Sequence, residues 1–246
     1  MLHNTKGIVL RTVKYGETSV IVSIFTELFG IQSYLVNGVR KSSRKGSPQG
    51  TTFFQPAALL DLVVYYNELK QLNRIKEFQW SYLYQNLFFD VKKNAVGLFM
   101  VELLQKCLKQ PEQNAELFYF IEDAFVHLDQ ADEDVVANFP LFFALHLTVF
   151  FGFRIEDNYA PESGVLDLEE GIFTSVYPRH AHYLEGKPAE ITSLLLKTMQ
   201  PAELKEIRLN QASRRQLLQA YEDFYALHLP DFGKMKSLPV LKELLS

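Results

Sequence analysis

Near residue 80 the spacing of apolar residues changes, and with it the kind of structure the chain can build. Before that point apolar residues recur at every second position, the period of a strand with one buried face. After it they recur at every third and fourth, the period of a helix stripe. Residues 6–14 are rich in Ile, Val, Leu and Thr and end at the turn Tyr15-Gly16-Glu17. Residues 18–26 (TSVIVSIFT) alternate, with Val20, Val22 and Ile24 on one face and Ile21 and Phe25 on the other. A turn over 27–30, a strand over 31–38, and two more strands over 57–66 and about 69–78 around Asn67-Glu68 complete the series. Five short strands in about 80 residues predict a small closed or partly closed barrel.

Beyond residue 80 the periodicity predicts helices near 82–109, 113–129, 134–153, 189–199, 202–208, 211–228 and 235–245, punctuated at Pro111, 129–134, Pro201, Ser213 and Pro230-Asp231-Phe232-Gly233. Residues 154–188, with Gly164, Gly171, Gly186, Pro161, Pro178 and Pro188, are too long for a simple connection and predict a small hairpin-bearing insertion. The fold class is therefore α+β, with a barrel over 1–80 and an all-α domain over 81–246. Residues 135–153 contain no charge and approach the length of a membrane span. Asn138, Pro140, His146 and Thr148 interrupt them, and Arg154 is the one flanking cation. A buried core helix fits that pattern better than a span.

Charge divides at the same place. The 246 residues carry 25 Lys and Arg against 29 Asp and Glu. Residues 1–79 hold ten of the cations and five of the acids, so the first part is basic and the remainder acidic. Four of the cations, Arg40, Lys41, Arg44 and Lys45, sit in one acid-free stretch, NGVRKSSRKGSPQG (37–50). Repeating phosphates are the natural counterpart of such a stretch, although many charged loops are merely solvated. Arg40, Lys41, Arg44 and Lys45 are thus the first candidates for backbone phosphate contacts. Arg11, Lys14 and Lys6 on neighbouring strands come second, and Tyr34 and Tyr15 are weaker candidates for base stacking. The stretch 46–50 lacks the Gly-Lys-Ser/Thr ending of a nucleotide-phosphate loop.

These residues resemble a known family. GIVLRTVKYGETSVIVSIFTELFGIQSYLVNGVRKSSRKG (7–46) is similar to the N-terminal region of the RecO family of bacterial recombination mediators. FFQPAALLDL (53–62) resembles the family's next segment, and SRRQLLQAYEDFYALHLPDFGKMKSLPVLKELL (213–245) its closing helices. The resemblance implies an OB-fold barrel (oligonucleotide-binding) followed by a helical domain. It implies a non-enzymatic DNA repair and recombination protein that binds single- and double-stranded DNA and anneals complementary strands. It implies as partners RecR and single-stranded DNA-binding protein, with recombinase loading as the outcome. The acidic, apolar-ended tail of single-stranded DNA-binding protein would suit a pocket rimmed by Arg214, Arg215, Lys234 and Lys236 beside Tyr221. Taken singly, those cations read as helix-end charge.

Many relatives in that family hold zinc with four cysteines in the insertion. Here 152–173 contains no cysteine, and Cys107 is the chain's only one. Asp157, Asp167, Glu169 and Glu170 are hard oxygen ligands unsuited to a tetrahedral thiolate site. His180 and His182 read as solvated. The expectation is a degenerate zinc-site loop with no metal, held by Phe153, Leu166, Ile172 and Phe173. No cofactor and no catalytic residue is expected, Cys107 and His146 reading as core. Without a signal-like leader the chain reads as cytoplasmic. The competing readings are an RNA-binding barrel protein and a non-catalytic adaptor.

Overall fold

A computed structural model describes residues 1–39 and 50–245. The described chain divides into two compact units. One comprises Met1–Gln85 with Leu108–Val126, the other Asn86–Cys107 with His127–Ser246.

The first unit is built on a closed five-stranded barrel. Its strands are β1 (Leu2–Tyr15), β2 (Ser19–Thr26), β3 (Gly30–Val36), β4 (Leu59–Tyr65) and β5 (Asn73–Tyr82), in the spatial order β1-β2-β3-β5-β4. All pairings are antiparallel except β3 with β5. Alternation puts Val20, Val22 and Ile24 of β2 inside with Leu60, Leu62 and Val64 of β4, all buried. A 3-10 turn, Gly50–Phe54, contributes the buried Phe54, and the Thr12 hydroxyl donates to the Phe54 carbonyl at 2.5 Å.

Phe25, on the outer face of β2, is buried too, because α2 (Ala115–Gln130) sets Phe118 against it at 5.8 Å. Asn114 Oδ1 accepts the Leu117 amide at 2.9 Å and starts that helix. Gly30 has φ +60°, and a Cβ there would overlap the Glu112 carbonyl. The β2–β3 turn therefore requires glycine.

The second unit is helical: α1 (Val91–Cys107), α3 (Glu133–Leu147) with a 3-10 continuation Thr148–Phe151, α4 (Lys187–Lys197), α5 (Gln211–His228) and α6 (Ser237–Leu244). Residues 133–151 are long and apolar enough to cross a membrane, but 67% of their most apolar window is buried within the protein. They form a core helix. Burial lowers the His146 pKa from its ordinary value of 6.5, while its Nε2 lies 3.3 Å from the Leu195 carbonyl. Asp129, also buried, accepts the Asn86 and Leu87 amides at 2.8 and 2.7 Å.

Glu102 of α1 accepts the Lys236 and Ser237 amides at 2.7 and 2.8 Å. Burial raises its pKa, but these bonds and one from the Ser237 hydroxyl outweigh burial and hold the carboxyl below the usual range. The carboxylate thus meets the positive end of α6.

The insertion forms a three-stranded antiparallel sheet, β7-β6-β8, from β6 (Val165–Asp167), β7 (Ile172–Thr174) and β8 (Tyr183–Glu185). Leu166 and Phe173 are buried as expected, and Phe153 packs 5.3 Å from Tyr225. Ile172 is the exception, at 37% exposed. Leu166 pairs with Phe173 and Leu184 on the inner face, whereas Ile172 pairs with Asp167 one position along, so alternation turns it to the opposite face. Asp167 Oδ1 accepts the Glu169 and Glu170 amides at 2.8 and 3.1 Å and lies 3.3 Å from His180 Nε2. That His180 pairing is local and structural. Among the described residues no three His, Cys, Asp or Glu side chains are grouped to hold a metal ion.

Other boundaries differ from the periodicity. β5 begins at Asn73 rather than near 69 and runs to Tyr82, so α1 begins only at Val91 rather than near 82. The helix expected over 202–208 is a 3-10 turn, Pro201–Glu206.

Candidate nucleic-acid interface

The leading phosphate candidates, Arg40, Lys41, Arg44 and Lys45, lie outside the described residues. Their flanks are described and meet: a Cβ on Gly50 would be 3.1 Å from the Val39 side chain. Val39 and Gly50 therefore lie together just past the end of β3.

Strand register shows what surrounds that place. Val36, at the end of β3, pairs with Val20 of β2, which pairs with Lys14 of β1. On the other side Leu35 pairs with Arg74 of β5, which pairs with Tyr65 of β4. The β1–β2 turn, with exposed Lys14 and Tyr15, and the β4–β5 turn, with exposed Lys70 and Arg74, thus flank the exit of β3. Crossing from β1 to β5 takes three inter-strand steps, about 14 Å. Arg11 is exposed one residue from Thr12, whose hydroxyl holds the returning turn.

Two of the barrel candidates differ from expectation. Lys6 Nζ lies 2.8 Å from Glu122 of α2. That hydrogen bond raises the Lys6 pKa and keeps the ammonium charged, while the Glu122 carboxylate offsets that charge, so Lys6 serves the packing of α2. Tyr34 is fully buried between Val22 and Asn73, its strand neighbours. Burial pushes its hydroxyl well above the ordinary tyrosine range, and the ring offers no face to a base. A period-two pattern marks which positions alternate, but Tyr fits either face of a strand.

The register adds Lys70, Arg74 and Tyr65 to the candidates, which sequence reasoning missed. The signal was present in a hairpin turn, Asn67-Glu68-Leu69-Lys70, carrying one cation and followed by another. Turns of small barrels adjoin their binding faces.

In the helical unit the expected cationic rim does not assemble. Arg214 is 9% exposed and donates to the Asn138 Oδ1, Leu245 O and Leu209 O atoms at 3.3, 2.6 and 3.2 Å. Tyr221 is buried, its hydroxyl 2.9 Å from that of Thr192. Arg215 donates to the Lys242 carbonyl at 2.7 Å, in the last turn of α6, whereas Lys236 precedes its first. Eight helical residues, about 12 Å, separate those ends. Lys234 is exposed. An apolar hollow of this unit lies instead between α1 and α6, about 350 Å3, bordered by Phe89, Val91, Leu98, Ser237, Val240 and Leu244.

Comparison with known proteins agrees with this architecture. The family model for the N-terminal part of recombination protein O matches residues 1–84, and that for the C-terminal part matches residues 89–239. A protein of Phocaeicola vulgatus named DNA repair protein RecO is 35% identical over 246 residues, covering 100% of both chains. Proteins of the same name from Bacteroides fragilis and Christiangramia forsetii are 36% and 34% identical, each over 99% of both chains. The N-terminal barrel is the OB-fold of this family, and the chain belongs to the recombination protein O (RecO) family.

Proposed function

We propose that this protein acts in DNA repair and recombination as a non-catalytic mediator that binds single- and double-stranded DNA and anneals complementary strands. The observation that carries this reading is the cationic end of the barrel. Two turns bearing Lys14 and Lys70, with Arg74 alongside, flank the point where a segment with four more cations departs. Annealing brings two polyanions together, so phosphates on both must be neutralised while bases stay free to pair. Contacts made to the backbone by Arg40, Lys41, Arg44, Lys45, Arg11 and Lys14 meet that requirement without reading sequence. Base pairing supplies the free energy, so no catalytic residue and no nucleotide cofactor is needed.

Relatives named DNA repair protein support the cellular setting. RecR and the acidic, apolar-ended tail of single-stranded DNA-binding protein are the proposed partners, with recombinase loading the outcome, in the cytoplasm. For that tail the apolar hollow between α1 and α6, bordered by Ser237 directly after Lys236, suits the chemistry better than the buried Arg214.

The test is annealing of two complementary labelled oligonucleotides followed by energy transfer. Wild-type protein should accelerate it, and a variant with Arg40, Lys41, Arg44 and Lys45 all changed to Ala should lose most of the acceleration. A wild-type protein that binds both strands yet leaves their annealing rate unchanged contradicts the mediator reading.

A further inference from the structure

The outer face of β1, β4 and β5 carries the opposite charge to the cationic end of the barrel. Lys6 stands opposite Asp61 and Asp61 opposite Gln79, and two residues along Val63 stands opposite Glu77. Directly opposed residues share a face, so these side chains turn the same way. With Glu27 of the β2–β3 turn they border a cavity of about 680 Å3. Residues 1–79 hold five acids, and three of them, Glu27, Asp61 and Glu77, meet at this cavity.

Nearby cations offset that charge only in part. Lys6 is the cross-strand neighbour of Asp61, but its ammonium reaches Glu122 of α2 instead, at 2.8 Å. Lys76 lies 2.9 Å from Glu77. Among the described residues Glu27 and Asp61 make no ion pair. Neutral groups hold them in place: the Tyr119 hydroxyl donates to Glu27, and Gln79 Nε2 donates to Asp61 at 3.2 Å.

Long, acid-free cationic side chains would complete such a face, and this chain carries four in one stretch, Arg40, Lys41, Arg44 and Lys45. The described part of the cationic end is fixed to the barrel at a distance from the cavity. Lys14 lies eight residues beyond Lys6 on β1, about 26 Å of strand. Complementary charge at two places on one rigid barrel suits a head-to-tail contact between copies, in which each copy offers one surface and accepts the other.

We infer that the outer face of β1, β4 and β5 is a docking surface for a second copy of this chain, which sets Arg40, Lys41, Arg44 and Lys45 against Glu27, Asp61 and Glu77. Association of this kind needs no DNA. Its regulatory meaning rests on the DNA-binding reading above: the same four cations are withheld from phosphates until a polyanion of denser charge displaces the neighbouring copy.

The experiment is sedimentation velocity of the full chain over a range of concentrations without nucleic acid, with thermal melting as the folding check. At low salt wild-type protein should associate progressively with concentration. At about 1 M salt, where the screening length is about 3 Å, it should be monomeric. The double change Asp61→Asn with Glu77→Gln should weaken association about 2- to 30-fold, the worth of two exposed ion pairs. Changing Arg40, Lys41, Arg44 and Lys45 to Ala should also weaken it. If the double change does not fold, Glu77→Gln alone, at an exposed position, takes its place.

Mixing the two variants decides the geometry. One keeps the cations and the other keeps the acids, so at a concentration where neither associates alone the mixture should form a dimer and nothing larger. A mixture that stays monomeric overturns the proposal, and so does wild-type association that survives high salt. Wild-type protein that stays monomeric at every concentration in low salt also overturns it, and leaves this face to a basic segment of another protein. With no nucleic acid present, none of these failures touches the DNA-binding reading, which the annealing assay tests on its own.

Discussion

Arg214 shows how a cation can be structural. It is enclosed, and its guanidinium donates to two backbone carbonyls and to Asn138, which itself donates to the Leu204 and Ile207 carbonyls at 3.3 and 2.7 Å. Removing it leaves buried carbonyls without donors, so Arg214→Ala should cost roughly 2–4 kcal/mol of stability by denaturant unfolding. DNA affinity should be unchanged. Nothing local in Ser213-Arg214-Arg215 distinguishes the buried arginine from the exposed one, because its partners at Leu245 and Asn138 are remote in sequence.

His146 is a second case. Burial lowers its pKa below 6.5, so below that pH the unfolded chain takes up a proton that the folded one refuses. Stability is full above about pH 6.5 and falls as pH drops toward the lower folded value. A His146→Phe variant that folds should show a shallower loss of melting temperature between pH 7 and pH 5.

Among elements, β2 was legible because one of its faces is the barrel core and burial alternates without a break from Ser19 to Ile24. β5 was not. Its residues are mostly half-exposed or exposed on both faces, while Leu69 and Leu72 in the preceding turn imitate a strand start. Asn67 and Asn73 set the true boundary through paired side-chain bonds to turn amides, a device that apolar periodicity does not register. The site suffered more than the fold from that shift, since the pairing of Tyr65 with Arg74 exists only in the correct register. The β2–β3 turn makes an element-level prediction. Gly30→Ala must both leave the positive-φ region and clear the Glu112 carbonyl, so melting should report a loss of roughly 1–3 kcal/mol.

At the level of the whole molecule, charge is unevenly distributed. The acidic total hides a basic first third, and the register of the barrel gathers Lys14, Lys70 and Arg74 around the departure of the four-cation segment. Closure of the barrel brings these residues together from β1, β5 and the turn before it, which no linear spacing expresses. Binding there should be sequence-tolerant and steeply salt-dependent.

The most direct measurement is the salt dependence of single-stranded DNA affinity for wild type and for the variant with Arg40, Lys41, Arg44 and Lys45 changed to Ala. The expected result is weaker binding to any sequence and a log–log slope smaller by about 0.7 for each phosphate no longer neutralised, up to about 2.8 for all four. A variant with wild-type affinity and slope would contradict phosphate binding by this segment.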